Sequence, residues 1–411
     1  MVRFAHCGDT HLDAEAKVNG RIVLGPDGKN IRSEDRIRCF RAAAEGAIER
    51  DCNLFLHCGD LFERNRPTPA EYCAAEEILD LILEHMPVVL CADNHGNVES
   101  ASERHAIEPL RGRHPNLHIV TGPLIVQIGR HETHRFGANP RAVSVRDAVQ
   151  VAVLPSPHRS IVAAKDEFKG LSPEAVNALI SGKLRAIIRG FLARLDPALP
   201  AILMFHGRVQ GAWLTDLQQA TGSEQIALTP EDFEGWDYVA LGDFHGYQQV
   251  APNAWYSGAT DRTSFNEEHQ VKGWICAELK ENDECLTVPI VEFIETPARR
   301  YRTIFPGELT SKALFEELED CPLETVPIIR VKGKIAQEDY DAISPFLATW
   351  RQIPTFSEQI EVTRQTTARS EAMTADLSEE ASLRLWHETN SRPEDLGALL
   401  AEHRRIVGAG K

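Results

Sequence analysis

The amino-acid sequence predicts a layered α/β fold followed by a smaller α+β domain. Three short apolar runs in the N-terminal part alternate with two amphipathic helical patterns, which is the order of parallel strands joined by helical crossovers. Each apolar run ends in a polar cluster, as expected where the strands of an α/β sheet end at a ligand site. After residue 295 the pattern changes, which marks the start of the second domain.

Apolar runs bounded by turn residues predict the strands of the first domain. The first run ends before Gly8 and is followed by Asp9 and His11. Further strands are predicted over 53–58, 87–91, 117–120, 123–128, 150–154, 201–205, 238–241, 247–250, 254–257, 272–279 and 286–294.

Capping residues and helical spacing predict the helices of the same domain. Ser33 can cap a helix over 33–51, whose apolar residues share one face. Thr68-Pro69-Ala70-Glu71 is a capping box with proline at the first helical position, and it begins the second helix. A third helix is predicted over 172–195, with Pro173 at its start.

We predict three segments along the chain, namely 1–295, 296–365 and 366–411. In the second segment, strand-like and helical patterns alternate, which predicts a small α+β domain with strands over 301–305, 326–332 and 358–363 and helices over 309–319 and 337–349. The third segment has the pattern of two amphipathic helices. Ordinary packing and docking of a partner are both compatible with such helices.

The composition is that of an ordinary folded protein. Hydrophobic residues make up 43% and charged residues 26% of the chain, and no run reaches the roughly 18 apolar residues that a membrane helix needs. The first residues lead into a strand rather than an export signal, and the nine cysteines include no Cys-x-x-Cys pair, so we expect reduced thiols and a cytoplasmic location. With a net charge of −17, contact with nucleic acid requires a local basic patch or metal ions.

Polar side chains that can bind metal follow five of the predicted strands. Asp9 and His11 stand two residues apart in an extended segment, so a carboxylate and an imidazole point to the same side. The other strand ends supply Asp60, Asn94, His95, His206, Asp243 and His245. Carboxylate, amide and imidazole groups without thiolates favour Mn²⁺, with Mg²⁺ and Fe²⁺ as alternatives.

These ligands are too many for a single ion. Two ions roughly 3.5–4 Å apart, bridged by a carboxylate, fit the set better, and such a pair can hold a phosphate and activate a water molecule. His95 directly follows Asn94 and can protonate the leaving oxygen rather than bind metal. The site therefore predicts a two-metal phosphoesterase.

The order of these motifs resembles that of the calcineurin-like metallophosphoesterase superfamily, and the details are similar to the SbcD-type nucleases of double-strand-break repair. The resemblance covers about residues 1–295 and is carried by segments 6–12, 59–62, 255–259 and 272–273. Residues 296–301 resemble the entry to the DNA-capping domain of that family. The resemblance implies a β-sandwich flanked by helices, a smaller capping domain, and 3′ exonuclease and endonuclease activity on DNA.

The resemblance also implies a role for each site residue. One metal ion would be held by Asp9, His11, Asp60 and His245, and the other by Asp60, Asn94, His206 and Asp243. Asp60 would bridge the two ions, and His95 would assist the leaving group. The family further implies a homodimer and a partner ATPase of the SbcC type, related to SMC proteins, which binds near the C-terminal helices.

The sequence departs from the family pattern at three places. Asp243 stands where the family usually has histidine, so the centre carries one positive charge less, and we expect tighter metal retention and weaker attraction of phosphate. The third motif reads Asp93-Asn94-His95-Gly96 and lacks the usual acidic residue after the histidine. Glu63 stands where some members have a histidine near the scissile phosphate.

Contacts with DNA and the choice of substrate are less well determined by the sequence. Arg299, Arg300 and Arg262 can contact a nucleic-acid backbone, but a solvated run of charges explains them equally well. The alternatives to a DNA nuclease are a phosphodiesterase for a small molecule and a non-catalytic scaffold that binds DNA ends. The signature of protein phosphatases is absent from residues 59–65, which disfavours a phosphoprotein substrate.

Overall fold

The computed structural model describes residues 2–14, 17–18, 20–25, 27–94, 104–129, 133–136, 148–156, 170–215, 218–219, 226–281, 287–309, 316, 326–363, 377–390 and 395–408. The candidate acid His95 and most of the helix predicted over 309–319 lie outside these residues.

The strands are numbered along the chain. They are β1 Val2–Cys7, β2 Lys17–Val18, β3 Arg21–Ile22, β4 Leu54–His57, β5 Val88–Cys91, β6 Leu117–Val120, β7 Leu124–Ile128, β8 Thr133–Phe136, β9 Val149–Leu154, β10 Ala201–His206, β11 Arg208–Val209, β12 Trp213–Thr215, β13 Gln218–Gln219, β14 Ala227–Leu228, β15 Tyr238–Gly242, β16 Gln248–Ala251, β17 Ala254–Tyr256, β18 Gly273–Glu281, β19 Thr287–Glu295, β20 Tyr301–Ile304, β21 Ile328–Ala336 and β22 Phe356–Thr363. The helices are α1 Ile31–Glu49, α2 Pro69–Leu83, α3 Pro173–Leu192, α4 Gln337–Trp350, α5 Glu379–Asn390 and α6 Leu396–Gly408.

Two mixed sheets form the centre of the fold. The first has the order β19-β18-β1-β4-β5-β6, and the second has the order β16-β17-β15-β10-β9-β7-β8. In the first sheet β1, β4, β5 and β6 are parallel, and in the second β9, β10 and β15 are parallel. The parallel crossovers predicted for the N-terminal part are therefore confirmed.

The sheets pack face to face, and helices cover their outer faces. Apolar residues of both sheets, such as Leu56 and Met204, form one buried cluster between them. Helices α1 and α2 cover the first sheet through a second cluster that includes Phe40 and Ile78, and α3 covers the second sheet. Strands such as β4 and β10 are buried throughout, which explains their continuous apolar sequence. The predicted layered α/β fold, a β-sandwich flanked by helices, is confirmed.

His6 of β1 joins the two sheets inside this core. Its Nδ1 lies 3.0 Å from the hydroxyl of Tyr238, and its Nε2 lies 3.1 Å from the carbonyl oxygen of Leu241. Burial lowers the pKa of His6 to about 3, so the imidazole is neutral at physiological pH. Both ring nitrogens of this neutral side chain are therefore used to connect one sheet to the other.

The predicted N-terminal caps are correct for two of the three helices predicted for the first domain. The capping box of Thr68 and Glu71 is present at the start of α2, and Ser172 caps α3 with Pro173 in its first turn. The predicted cap of α1 is wrong, because the helix begins at Ile31 and its cap is Asn30 rather than Ser33. Asparagine and serine are both common at the N-cap, so the local sequence does not show which of the two residues caps the helix.

A separate sheet follows the sandwich. Strands β20, β21 and β22 are parallel, and α4 packs on them through Leu347 and Trp350. Helices α5 and α6 contact each other, and Arg404 forms two hydrogen bonds with Glu380 across that pair. The boundaries at 295 and 365 remain predictions. Among the described residues, we find no helix with the length and apolar character needed to cross a bilayer.

Candidate metal centre

The carboxyl ends of five strands from both sheets meet at one place. Strands β1, β4 and β5 of the first sheet are followed by Asp9 and His11, by Asp60 and by Asn94, respectively. In the second sheet His206 ends β10, and Asp243 and His245 follow β15. All seven predicted metal ligands belong to the described residues, and contacts between their polar atoms connect them.

Asp9, His11 and His245 form the first group of candidate ligands. One atom from each of these side chains lies within 4.8 Å of the others. The Nε2 atoms of His11 and His245 are 3.0 Å apart, and Oδ2 of Asp60 lies 3.6 Å from Nε2 of His11. These are four residues that the resemblance assigns to one ion.

Asp9, Asp60 and His206 form the second group by the same distance. Nε2 of His206 lies 3.5 Å from Oδ1 of Asp60 and 3.3 Å from Oδ1 of Asn94. Asn94 Nδ2 donates to Oδ1 of Asp243 at 3.2 Å. The residues assigned to the other ion are thus also together. Asp9 belongs to both groups, and Asp60 belongs to the second group and also contacts His11 of the first. Either carboxylate is therefore placed to bridge two ions, and the bridging role of Asp60 remains a prediction.

The ligand loops have an unusual backbone conformation. Asp9, His11, Asp60 and Asp243 have φ values of 50°, 44°, 52° and 103°, in the left-handed region that L-residues rarely adopt. Such residues cost about 1–3 kcal/mol each and are concentrated at ligand sites. Two loops support each other, because Asp9 N donates to the Gly59 carbonyl and His11 N donates to the Asp60 carbonyl.

Two glycines enclose the ring of His206. Gly59 has a φ of +94°, and a Cβ there would lie 2.3 Å from Nδ1 of His206. A Cβ at Gly242 would lie 2.1 Å from the carbonyl oxygen of Cys58 and 2.9 Å from the same Nδ1. The close packing around His206, a predicted ligand, therefore requires glycine at both positions and holds the ring in place.

A hydrogen bond to Nδ1 orients His206 toward the centre. Its Nδ1 lies 2.7 Å from the carbonyl oxygen of Cys58. A carbonyl oxygen only accepts, so Nδ1 carries the proton and Nε2 offers its lone pair to the site. His206 is fully buried, which leaves the ring no alternative partner in water.

The other two histidines use carboxylates for the same purpose. Nδ1 of His11 lies 2.8 Å from Oε2 of Glu63, and Nδ1 of His245 lies 2.9 Å from Oε1 of Glu267. The second oxygen of Glu267 lies 2.7 Å from Nζ of Lys272, which is almost fully buried. Such carboxylate partners fix the tautomer of a histidine and make it a stronger ligand.

The charges of the site shift several pKa values. Burial and the carboxylates of Asp93, Asp9 and Asp243 raise the pKa of Asp60 well above its ordinary value. Burial lowers the pKa of His11, although Glu63 opposes the shift. Burial also acts to lower the pKa of His245, but the hydrogen bond and charge of Glu267 outweigh it and raise that pKa. The cluster therefore concentrates negative charge that a cation would stabilise.

The donor set fits a pair of divalent cations. Oδ1 of Asp9 accepts a hydrogen bond from Asp243 N, whereas its buried Oδ2 has no hydrogen-bond partner among the described residues. Burial of a carboxylate oxygen without a hydrogen-bond partner costs free energy. Oxygen and imidazole nitrogen donors that converge without thiolates are typical of Mn²⁺, Mg²⁺ and Fe²⁺ sites.

Several residues of this site were not predicted as part of it. Glu267 and Lys272 support His245, and Oδ2 of Asp93 accepts a hydrogen bond from Asp60 N at 3.0 Å. Glu267 is 22 residues from its histidine, and no local spacing signal connects two such positions. Asp93 and Glu63 depart from the family pattern, and the sequence does not predict their contacts with Asp60 and His11.

The structure corrects one of the predicted DNA contacts. Arg299 is buried and donates to both carboxylate oxygens of Asp35 in α1, at 2.6 and 2.9 Å. Its guanidinium is therefore not available to a DNA backbone. Arg262 donates to backbone carbonyl oxygens, including those of Glu267 and Gln270, and so holds a loop. Arg300 is exposed, and its contact with DNA remains a prediction.

Comparison with known proteins agrees with the fold and the site. Residues 2–247 match the family of calcineurin-like phosphoesterases, and the chain belongs to this family. The cluster of histidine and aspartate ligands is typical of metal-dependent hydrolases of this class.

The curated relatives include DNA repair proteins of archaea. The chain is 22% identical over 338 residues to the DNA double-strand break repair protein Mre11 of Methanosarcina mazei, a match that covers 81% of this chain and 45% of the relative. It is 31% identical over 111 residues to the Mre11 protein of Archaeoglobus fulgidus, which covers 26% of this chain and 23% of that protein. The chain spans less than half the length of these relatives.

Among solved structures, a dimetal phosphatase from Danio rerio matches 72% of this chain and 96% of its own, with 10% identity and a TM-score of 0.37. That likeness is too distant to carry an argument.

Proposed function

We propose that the chain is a two-metal phosphodiesterase that cleaves DNA, as a 3′ exonuclease and an endonuclease. The observation that supports it best is the convergence of Asp9, His11, Asp60, Asn94, His206, Asp243 and His245 at one edge of the sandwich. The chain shares most of its length with relatives named for DNA double-strand break repair, which favours DNA over a small diester.

The side chains at the centre have distinct tasks in this proposal. When bound at this site, Mn²⁺ ions would supply positive charge for a phosphate and would lower the pKa of a water molecule. Asp9, Asp60 and Asp243 would provide the carboxylates for the two ions. Nε2 of His206 and of His245 is left for metal because Nδ1 of each is hydrogen-bonded elsewhere, and Nδ1 of His11 faces Oε2 of Glu63 at 2.8 Å. We assign protonation of the leaving oxygen to His95 on the basis of its place next to Asn94.

We also propose the partners that the family resemblance implies. An SbcC-type ATPase would dock on the C-terminal segment, where α5 and α6 form an amphipathic pair with charged outer residues. A homodimer would present two metal centres to the two strands of a DNA end. Because the net charge is −17, DNA contacts would depend on the metal ions and on local arginines such as Arg300.

The test is Mn²⁺-dependent cleavage of labelled single- and double-stranded DNA, with bis(p-nitrophenyl) phosphate as a small diester. Wild type is compared with His95→Ala and with His85→Ala, in which an exposed histidine outside the centre is removed. Bound manganese is measured in every sample. We expect DNA cleavage by wild type and His85→Ala, and loss of cleavage with retained manganese in His95→Ala.

Other outcomes separate the alternatives. Cleavage of only the small diester would contradict a DNA substrate. Two bound ions without any cleavage would favour either a required partner ATPase or a DNA-end scaffold, and addition of the ATPase would distinguish them. Absence of bound manganese would contradict the two-metal site.

A further inference from the structure

Arg208 lies beside the metal centre and is paired with one of its predicted ligands. Its Nε lies 3.4 Å from Oδ2 of Asp243. The other oxygen of that carboxylate, Oδ1, faces Asn94 at 3.2 Å and His206 at 3.9 Å. Asp243 therefore has one oxygen toward the metal ligands and one toward a guanidinium. A single carboxylate separates Arg208 from the centre.

The backbone holds Arg208 in this place, while solvent reaches its side chain. Arg208 begins β11, which pairs with β14, and it follows His206 after Gly207. The hydroxyl of Tyr256 donates to the carbonyl oxygen of Gly207 at 2.7 Å. The Arg208 side chain is 33% exposed, whereas that of Asp243 is 9% exposed. Part of the Arg208 side chain is therefore open to an anion that approaches from solvent.

We propose that Arg208 is a substrate-binding residue, which donates hydrogen bonds to a nonbridging oxygen of the phosphodiester at the metal centre. This proposal rests on the phosphodiesterase activity proposed above. The pair divides two tasks, because Asp243 provides an oxygen for metal and Arg208 provides a cation for phosphate.

Charge explains why such a cation is useful here. Asp9, Asp60 and Asp243 bring three carboxylates to the centre, and each weakens the attraction of a phosphate anion to the metal ions. The guanidinium of Arg208 offsets the charge of Asp243 without displacing it. Arginine also suits this role because its fixed fork of N–H groups matches a phosphate group.

The experiment compares Arg208→Gln with wild type in three measurements. Bound manganese is counted, the dissociation constant of inorganic phosphate for the Mn²⁺-loaded protein is measured by calorimetry, and kcat and KM are determined for bis(p-nitrophenyl) phosphate. Loss of charge-assisted hydrogen bonds to phosphate is expected to raise the phosphate dissociation constant about 10- to 100-fold. We expect unchanged manganese content and a raised KM.

Arg185→Gln is the matched control. Nε of Arg185 lies 3.0 Å from Oδ2 of Asp232, and the two side chains are 35% and 9% exposed, close to the values of the Arg208 pair. This pair joins α3 to the segment before β15 and contains no predicted ligand. The control removes the same charge and the same kind of ion pair, and we expect wild-type affinity for phosphate.

Arg208→Lys provides a second variant in case Arg208→Gln does not fold. It keeps a positive charge opposite Asp243 but loses the fork, so we expect a phosphate affinity between those of wild type and Arg208→Gln. Phosphate affinity equal to that of Arg185→Gln in both Arg208 variants would overturn the proposal. Loss of manganese from Arg208→Gln would also overturn it, because Arg208 would then act on Asp243 alone.

The two proposals fail in different ways. If wild type binds manganese and phosphate but cleaves neither diester nor DNA even after the ATPase is added, the phosphodiesterase proposal fails and the phosphate measurement still decides the role of Arg208. If wild type cleaves and Arg208→Gln has the same KM and phosphate affinity, only the Arg208 proposal fails.

Discussion

Glu267 Oε1 lies 2.9 Å from Nδ1 of His245, and Oε2 of the same carboxylate lies 2.7 Å from Nζ of Lys272. One glutamate therefore orients a predicted metal ligand and is itself held by a buried ammonium group. The arrangement extends the metal centre from the end of β15 to the beginning of β18. Residues that bind no metal thus contribute to the geometry of the site.

We predict that Glu267→Ala weakens manganese binding about 10- to 100-fold, because His245 loses the partner that fixes its tautomer. The measurement is the dissociation constant for Mn²⁺ by calorimetry. Glu234→Ala, which removes an exposed glutamate, should leave that constant unchanged. Equal affinity in the two variants would show that His245 does not need Glu267.

We predict that Asp243→His raises the metal dissociation constant. The substitution keeps a ligand at the position but removes a negative charge from the centre, so each cation is held less strongly. Manganese titration of the metal-free protein measures the effect. An unchanged dissociation constant would contradict the role of the Asp243 charge in metal retention.

We predict that Gly59→Ala lowers the free energy of unfolding by at least about 2 kcal/mol and disturbs metal binding. Its new Cβ would meet the ring of His206 at 2.3 Å, and the backbone has a φ of +94°. Gly112→Ala is the matched control, because Gly112 has a φ of +81° and open space at its Cβ. Urea unfolding should show a clearly smaller loss for the control.

We predict that Asp35→Asn lowers the free energy of unfolding by about 3–5 kcal/mol at neutral pH, because it leaves buried arginines without their carboxylate. Asp35 is fully buried and bonded to Arg32, Arg38 and Arg299. Urea unfolding measures the loss. Asp51→Asn, at an exposed turn, should change it little. An equal effect of the two substitutions would contradict this account.

The effect of Asp35 should also depend on pH in a defined direction. Burial acts to raise its pKa, but Arg299, Arg32 and Arg38 outweigh burial and lower the pKa below its ordinary value of 3.8. The ionised Asp35 therefore contributes its full stabilisation at pH values above 3.8, the ordinary pKa. This contribution is lost as the pH falls from 3.8 through the lowered pKa of the folded protein. The difference between wild type and Asp35→Asn should stay constant from neutral to weakly acidic pH and shrink below it.

The sequence predicted the parts of the site that depend on local order along a strand. Asp9, Asp60 and His206 directly follow or end apolar runs, and the strands of parallel sheets bring their carboxyl ends together. The supporting residues could not be predicted, because Glu267 and Arg208 meet their partners only through the fold. The prediction that Arg299 contacts DNA was wrong for a similar reason, because its partner Asp35 is buried on a helix that is distant in sequence.

The hydrogen bonds of His6 with Tyr238 and Leu241 connect the two sheets that supply the predicted metal ligands. The predicted ligands that follow β1 and β4 belong to one sheet and those at the ends of β10 and β15 to the other, so sliding of the sheets would change the distances between them. A neutral imidazole between the sheets opposes such sliding without introducing charge into the core. Cations bound at the edge of the sandwich would connect the same two sheets a second time. Metal binding would therefore also stabilise the packing of one sheet on the other.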